Sequence, residues 1–245
     1  MKFTGERCIV GKSGSLIEKE HLDRYNFVLN YVKNKIVLDI ACGSGYGSKL
    51  LSNKAKKVIG VDISKESIDY AKNNFNSNKI KFFIGDATNL DFLKDNSIDV
   101  VVSFETIEHL IDYKRFLMEV KRILKKEGLF IVSTPNKKIS SPHGKKPKNP
   151  FHVIEFFKKD FEILLKRYFG LIAIYGQEPK THIINIKNKI AKLYFLLIYN
   201  KRYGPIYEWY LSKYLAPIGN TDIDKCLFLI AICKNEKSKS LNNNS

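Results

Sequence analysis

A short apolar segment followed by three closely spaced glycines is the feature that most constrains the fold of this chain. Val37, Leu38 and Ile40 are apolar, as expected of a strand buried in a parallel sheet. Glycines stand at alternate positions, 43, 45 and 47, and residues 46–55 have the composition of a helix. Glycine lets the backbone approach a ligand closely, and a helix N-terminus presents free N–H groups. Strand, glycine turn and helix together predict a cofactor-binding site.

The spacing of the glycines argues against a dinucleotide. Dinucleotide-binding turns carry Gly-x-Gly-x-x-Gly and hold a pyrophosphate at the helix N-terminus. Here the third glycine comes one residue early, and Asp39 stands at the end of the strand. A carboxylate there would repel a pyrophosphate but suits a ligand that carries an ammonium group. The segment resembles motif I of class I methyltransferases that use S-adenosylmethionine (SAM), which has an ammonium, a carboxylate and a sulfonium.

Two further carboxylates follow predicted strands. Asp62 comes 19 residues after Gly43, the spacing at which an acid binds ribose hydroxyls. Asp86 follows the next strand, at a position that resembles the family's adenine-binding acid. One such aspartate could simply cap a turn, whereas three at successive strand ends favour a nucleoside site. The resemblance implies SAM contacts from Arg24, Tyr25, Asp39, Ala41, Gly43, Gly45, Tyr46, Asp62, Ile63, Asp86, Ala87, Phe104 and Glu105. For two of these the residues allow another interpretation, in which Tyr25 packs in the core and Arg24 forms a surface salt bridge.

Alternating strand and helix patterns predict an α/β fold with a parallel sheet. We predict strands at 37–40, 57–62, 80–85, 98–104, 128–134, 171–176 and 226–233, and helices at 16–33, 46–55, 65–75, 112–125 and 158–169. The first helix is expected to cover an edge of the sheet. The resemblance implies a Rossmann-like, mostly parallel seven-stranded sheet with helices on both faces. It also implies that the last strand is reversed and inserted beside its neighbour.

Length and composition predict a single domain. The 245 residues, 44% of them hydrophobic, suffice for one α/β domain at 1–235. Residues 178–223, rich in lysine and aromatic side chains, are predicted to be an insertion that caps the acceptor side, and residues 236–245 a disordered polar tail. No apolar run approaches the roughly 18 residues of a membrane-spanning helix. We expect a cytoplasmic protein with reduced thiols, free or at a membrane surface.

The chain is strongly basic, with a formal net charge of +17. Only six of its 42 basic residues are arginines, whereas nucleic-acid surfaces usually use arginine as well. The charge is compatible with an RNA partner but does not require one.

A second group of residues predicts the chemistry at the acceptor side. Glu105, Glu108 and His109 have i, i+3, i+4 spacing and would face one side of a helical turn. Together with His152 they offer ligands for a divalent metal ion. The set resembles the metal site of small-RNA 3′-terminal 2′-O-methyltransferases, and its first part is shared with ubiquinone-pathway O-methyltransferases. In the alternative interpretation there is no metal, Glu105 lines the SAM pocket, and His109 and His152 orient the loop or act as bases.

Several segments resemble one branch of the family. They are residues 5–7, 20–25, 39–48, 103–109 and 149–155, and they are similar to bacterial methyltransferases of surface-polysaccharide clusters, which act on O-antigen or capsule glycans. This resemblance implies O-methylation of a glycan hydroxyl or phosphate, with a small-molecule, glycan or lipid-linked acceptor. The alternatives are a metal-dependent RNA ribose 2′-O-methyltransferase and a non-catalytic binding module with the same fold. The residues leave the oligomeric state open.

Overall fold

The computed structural model describes residues 15–75, 77–144, 146–177, 218–219 and 222–236. The strands of this part are β1 (Ile36–Ile40), β2 (Lys57–Asp62), β3 (Ile80–Ile84), β4 (Ile98–Phe104), β5 (Leu124–Pro135), β6 (Gly170–Gln177) and β7 (Phe228–Lys234). The helices are α1 (Ser15–Val28), α2 (Tyr46–Ser52), α3 (Lys65–Phe75), α4 (Tyr113–Ile123), α5 (Lys137–Ser140) and α6 (Lys158–Lys166). Short 3₁₀ turns at Ile107–His109 and Ile223–Lys225 complete the set.

The seven strands form one sheet in the order β3-β2-β1-β4-β5-β7-β6. Strands β1 to β5 pair in parallel, and β7 runs antiparallel to both β5 and β6. The predicted fold class and the reversed last strand are therefore confirmed. Because parallel strands end at the same edge of the sheet, the loops after β1, β2, β3 and β4 meet there.

Alternating side chains of the strands supply two cores, one on each face of the sheet. Leu38 and Val101 belong to the core that contains buried side chains of α4 and α6. Their chain neighbours Val37 and Val100 belong to the core that contains side chains of α1, α2 and α3. Helices therefore cover both faces, as predicted, and the central strands are buried on both sides.

Helix α1 lies across a face of the sheet rather than along an edge. Tyr25 packs against Phe104 of β4 with ring centroids 5.1 Å apart, and Phe27 packs against Tyr175 of β6, also at 5.1 Å. The predicted edge position is met only in part, because α1 reaches from the central strand β4 to the edge strand β6. The helix also ends at Val28 rather than at residue 33.

Most of the predicted insertion and tail, and residues 5–7, lie outside the described residues. Beside the end of β5, the side-chain amide of Asn136 donates to the carbonyls of Ile223, at 3.1 Å, and Cys226, at 2.9 Å. Cys42, Cys226 and Cys233 are buried cysteines that carry thiols. Across the described ranges, no helix is both long enough and apolar enough to cross a membrane.

Candidate functional site

A cavity of about 440 Å³ opens at the carboxyl edge of the parallel strands. Its volume lies within the usual range for small-molecule sites, roughly 300–1,000 Å³. Ten of the predicted cofactor residues line it: Tyr25, Ala41, Gly43, Tyr46, Asp62, Ile63, Asp86, Ala87, Phe104 and Glu105. Arg24, Asp39 and Gly45 are not part of the lining. The predicted acceptor-side residues Glu108, His109 and His152 line the same cavity.

The backbone turns sharply where β1 and β4 enter the cavity. Gly43 has a φ of +53°, and no heavy atom lies within 4 Å of the position that a Cβ would take. Ala41 and Glu105, with φ values of 56° and 50°, adopt the left-handed conformation without being glycine. Such strain persists only where the surrounding structure imposes it, and it is common at functional sites. The turn leaves an open cradle in which a ligand can approach the backbone of Gly43.

Asp62 holds the glycine turn against the end of β2. One carboxylate oxygen accepts the N–H of Gly43 at 2.9 Å, and the other accepts the N–H of Ser64 at 2.8 Å. Each oxygen keeps a lone pair, so this cavity-lining carboxylate can also accept two hydroxyls. Beside it, the side chain of Ile63 is 69% exposed and offers an apolar face to a flat ring. Together with Asp86, which also lines the cavity, these residues fit the nucleoside of SAM.

Asp39 has a different role from the predicted one. It is fully buried, and its two oxygens accept hydrogen bonds from Tyr25 Oη at 3.0 Å and Ser48 Oγ at 2.6 Å. Burial raises the pKa of Asp39 to about 7, with a further contribution from the charge of Asp62, while the two hydrogen bonds oppose the rise. The carboxyl group therefore supports α1 and α2 from beneath the turn instead of facing the cavity.

Arg24 and Gly45 also lie behind the cavity wall. Arg24 is 1% exposed, so a surface salt bridge is excluded. Its Nη1 donates to Oε1 of Gln177 at 2.7 Å, and its guanidinium lies 4.5 Å from the ring centroid of Phe228. A Cβ on Gly45 would come within 2.7 Å of the Cβ of Ala71, so this glycine permits close packing of α2 on α3.

The acceptor-side residues do not all face one side as predicted. Glu105 precedes the 3₁₀ turn, and its carboxylate accepts from Ser133 Oγ at 2.6 Å. Glu108, His109 and His152 instead form a group whose potential ligand atoms lie within 4.8 Å of one another. Since the left-handed backbone of Glu105 breaks the helical spacing, this residue stands apart from that group.

Glu108 is a fully buried carboxyl at the cavity wall. Its Oε2 accepts from Thr134 Oγ1 at 3.1 Å, whereas its Oε1 has no hydrogen-bond partner. Burial, and then the charge of Glu105, raise its pKa well above the ordinary value. A buried oxygen without a partner beside two imidazoles fits a divalent metal ion, because such a donor set suits several of these ions.

Sequence reasoning gave no role to two residues of this region, Glu155 beside His152 and His21 in the cavity lining. Glu155 accepts from His152 Nδ1 at 2.7 Å and from Ser140 Oγ at 2.7 Å. Burial would raise the pKa of Glu155, but the hydrogen bonds from Ser140 and His152 outweigh it and lower the pKa. His21 lines the cavity, and burial followed by the charge of Arg24 lowers its pKa. Its i, i+4 spacing to Tyr25 on α1 was the available signal.

Comparison with known proteins gives a consistent set of relatives. A family model described as a methyltransferase domain matches residues 38–132. A relative from Mycolicibacterium smegmatis, named as a probable SAM-dependent methyltransferase, is 35% identical over 171 residues, which are 68% of this chain and 64% of that protein. A ubiquinone biosynthesis O-methyltransferase of Pelagibacter ubique is 36% identical over 111 residues, 45% of this chain and 46% of that protein.

Solved structures share the fold. A Pyrococcus horikoshii protein superposes with a TM-score of 0.64 at 21% identity, and the alignment covers 96% of this chain and 96% of that protein. This likeness supports the architecture alone. The match with the Mycolicibacterium smegmatis relative spans less than two thirds of that protein's length.

Proposed function

We propose that this chain, which contains a methyltransferase domain of the class I SAM-dependent family, is an O-methyltransferase that acts on a hydroxyl or phosphate of a glycan. One observation carries the proposal: a single cavity joins a nucleoside-binding edge, at Asp62, to a group of carboxyl and imidazole side chains, at Glu108, His109 and His152. When bound, SAM supplies a methyl group on a positively charged sulfur.

Different residues of the nucleoside edge bind different parts of the cofactor in this proposal. Asp62 would accept the ribose hydroxyls, while Ile63 and Asp86 would receive the adenine through its apolar face and its amine. The cradle at Gly43 and the aromatic side chains Tyr25 and Tyr46, which line the same cavity, would enclose the amino-acid portion. Fixing the cofactor in this way leaves positioning of the acceptor as the main remaining source of rate.

The acceptor side supports an oxygen nucleophile. A hydroxyl needs a base, and His152 or His109 can take its proton, whereas a phosphate oxygen needs none. Glu105, which also lines the cavity, is the third candidate for contact with the acceptor. The Pelagibacter ubique relative, named as an O-methyltransferase, supports oxygen as the methylated atom. The choice of a glycan rests on the resemblance of residues 20–25, 103–109 and 149–155 to the polysaccharide branch.

Radiolabelled SAM tests the proposal directly. The purified protein is incubated with separate glycan, RNA and lipid fractions, and transfer of the labelled methyl group is counted. We expect label in the glycan fraction. Label in the RNA or lipid fraction instead would replace the acceptor, and SAM binding without transfer to any fraction would favour the binding-module alternative.

A second candidate function, metal-dependent methylation of an RNA ribose, is favoured by the unpartnered Oε1 of Glu108 beside two imidazoles. In this form Glu108, His109 and His152 would hold a divalent ion. We expect Mn²⁺ binding, measured by calorimetry, to be lost in His152→Ala while S-adenosylhomocysteine affinity is kept. Full transfer activity in excess chelator would contradict the metal requirement.

A further inference from the structure

His152 has a hydrogen-bond partner at each of its two ring nitrogens, and it lies in the wall of the cavity. The imidazole lies in the loop that follows α5, and both His152 and Asn149 line the cavity. The side chain of His152 is 10% exposed and that of Glu155 is 1% exposed. Each ring nitrogen has one hydrogen-bond partner, Glu155 at Nδ1 and Asn149 at Nε2.

The direction of this chain is fixed at the Nε2 end by a backbone group. The N–H of Phe151, which can only donate, lies 3.0 Å from Oδ1 of Asn149. The oxygen of the Asn149 amide therefore faces Phe151, and its NH₂ group faces Nε2 of His152 at 3.0 Å. Because an NH₂ group can only donate, Nε2 must be the acceptor in this contact.

The Nδ1 end gives the same answer independently. Oε1 of Glu155 lies 2.7 Å from Nδ1 of His152. Its Oε2 accepts from Ser140 Oγ at 2.7 Å, which fixes the carboxylate in place. A carboxylate accepts hydrogen bonds, so Nδ1 must carry the proton. Two partners on opposite sides of one ring thus specify the same tautomer.

We propose that Glu155 and Asn149 are positioning residues that hold His152 in the Nδ1–H tautomer, so that Nε2 is the nitrogen that meets the acceptor hydroxyl. This inference deepens the proposed function and rests on it for its catalytic meaning. A base needs its lone pair on the nitrogen that meets the substrate, and a partner on the other nitrogen fixes that choice. The lone pair of Nε2 accepts a single neutral hydrogen bond from Asn149, which a hydrogen bond from the acceptor hydroxyl can replace.

The tautomer is measured without any acceptor, so failure of the proposed function leaves the test intact. Long-range ¹H–¹⁵N correlation spectra of protein labelled in histidine distinguish a protonated ring nitrogen from a bare one. The His152 signals are assigned by their loss in His152→Gln. We expect the proton on Nδ1. A spectrum with the proton on Nε2 would overturn the proposal.

Two variants extend the test. Glu155→Met removes the acceptor at nearly constant length. Because the NH₂ group of Asn149 still donates to Nε2, we expect the proton to stay on Nδ1 but to lose the downfield shift that a carboxylate partner gives it. The double variant Glu155→Gln with Asn149→Asp moves the carboxylate to the other side of the ring at constant net charge, and we expect the proton to move to Nε2. Glu162→Gln, which changes a glutamate paired with Lys166 on the surface of α6, is the matched control and should leave the spectrum unchanged.

Methyl-transfer kinetics provide a separate measurement, with the fraction that takes up label as the acceptor. Loss of a partner that orients a metal-ligating histidine typically costs about 10- to 100-fold in activity, and we expect a loss of the same order for a histidine that acts as a base. We expect Glu155→Met to lower kcat by that factor, while the KM for SAM and the calorimetric affinity for S-adenosylhomocysteine stay unchanged. If the double variant keeps the proton on Nδ1, or if Glu155→Met leaves both the Nδ1 proton shift and kcat unchanged, Glu155 does not position His152 and the proposal is wrong.

Discussion

Replacing Gly47 by alanine tests whether α1 and the glycine turn are packed as described. Gly47 lies in the first turn of α2, where alanine is normally favoured over glycine by about 1 kcal/mol. Here a Cβ would lie 2.0 Å from the Cζ atom of Tyr25. The Tyr25 ring is enclosed by Tyr46, with centroids 5.6 Å apart, and by Phe104, at 5.1 Å, so it has little room to retreat.

The change in the free energy of unfolding follows from two costs and one gain. Overpacking a well-filled core costs about 1–3 kcal/mol. Displacing the Tyr25 hydroxyl from Asp39 leaves a buried group without its partner, at a cost of about 1–3 kcal/mol. The gain in helix propensity offsets about 1 kcal/mol. We therefore expect Gly47→Ala to lower the free energy of unfolding by about 3 kcal/mol.

Urea and thermal unfolding of the purified variant measure this effect. For a chain of this length we expect a fall in Tm of about 6–12 °C. Gly43→Ala is the matched control, because open space surrounds its Cβ position and only backbone strain of about 1–2 kcal/mol opposes the change. If Gly47→Ala is as stable as the wild type, the close contact between α1 and α2 is wrong.

Three other substitutions have defined outcomes. Asp62→Ala should weaken S-adenosylhomocysteine binding, measured by calorimetry, by about 10- to 150-fold, since a hydrogen bond to a charged group contributes roughly 1.5–3 kcal/mol. Asp39→Asn should change the pH dependence of stability, because the pKa of Asp39 is raised to about 7 in the folded state. As the pH rises from about 4 to 7, the wild type should lose up to about 1.4 kcal/mol of unfolding free energy per pH unit relative to the variant, measured by urea titrations at several pH values. Arg122→Lys should lower the free energy of unfolding by about 1–3 kcal/mol in urea titrations, because lysine cannot keep the guanidinium contacts to Glu119, Asp95 and two backbone carbonyls. An unchanged unfolding midpoint for Arg122→Lys would contradict that role.

The cofactor edge of the cavity could be predicted because its information is local in sequence. A buried strand, a glycine turn and an acid at the next strand end are each encoded by a few adjacent residues, and topology then brings the strand ends together. Asp62 and Gly43 meet in this way at 2.9 Å, whereas their spacing predicted ribose binding by Asp62 and not this contact. The reversed strand β7 came from the family resemblance, since no local pattern distinguishes an antiparallel strand from a parallel one at this position.

The roles of Asp39 and Arg24 could not be read from the sequence because their partners are distant in sequence or hidden by burial. A strand-end aspartate faces either a ligand or a buried hydroxyl, and only the position of α1 decides that Asp39 meets Tyr25. Arg24 bonds to Gln177, 153 residues away. The i, i+3, i+4 spacing of Glu105, Glu108 and His109 predicted a shared face on the assumption of helical backbone, which the left-handed conformation of Glu105 breaks.

The two ends of the cavity are built by different means, and α1 connects the cofactor edge to strand β6. The cofactor edge depends on backbone turns that rest on Asp39, Tyr25 and Ser48, whereas the acceptor side depends on side chains from the loops after β4 and α5. Tyr25 of α1 forms part of the cavity wall, and the preceding residue, Arg24, bonds to Gln177 at the end of β6. A shift of α1 would therefore change the cofactor cradle and the anchoring of β6 together. For this reason the buried contacts of α1, although they lie behind the cavity wall, belong to the machinery of the site.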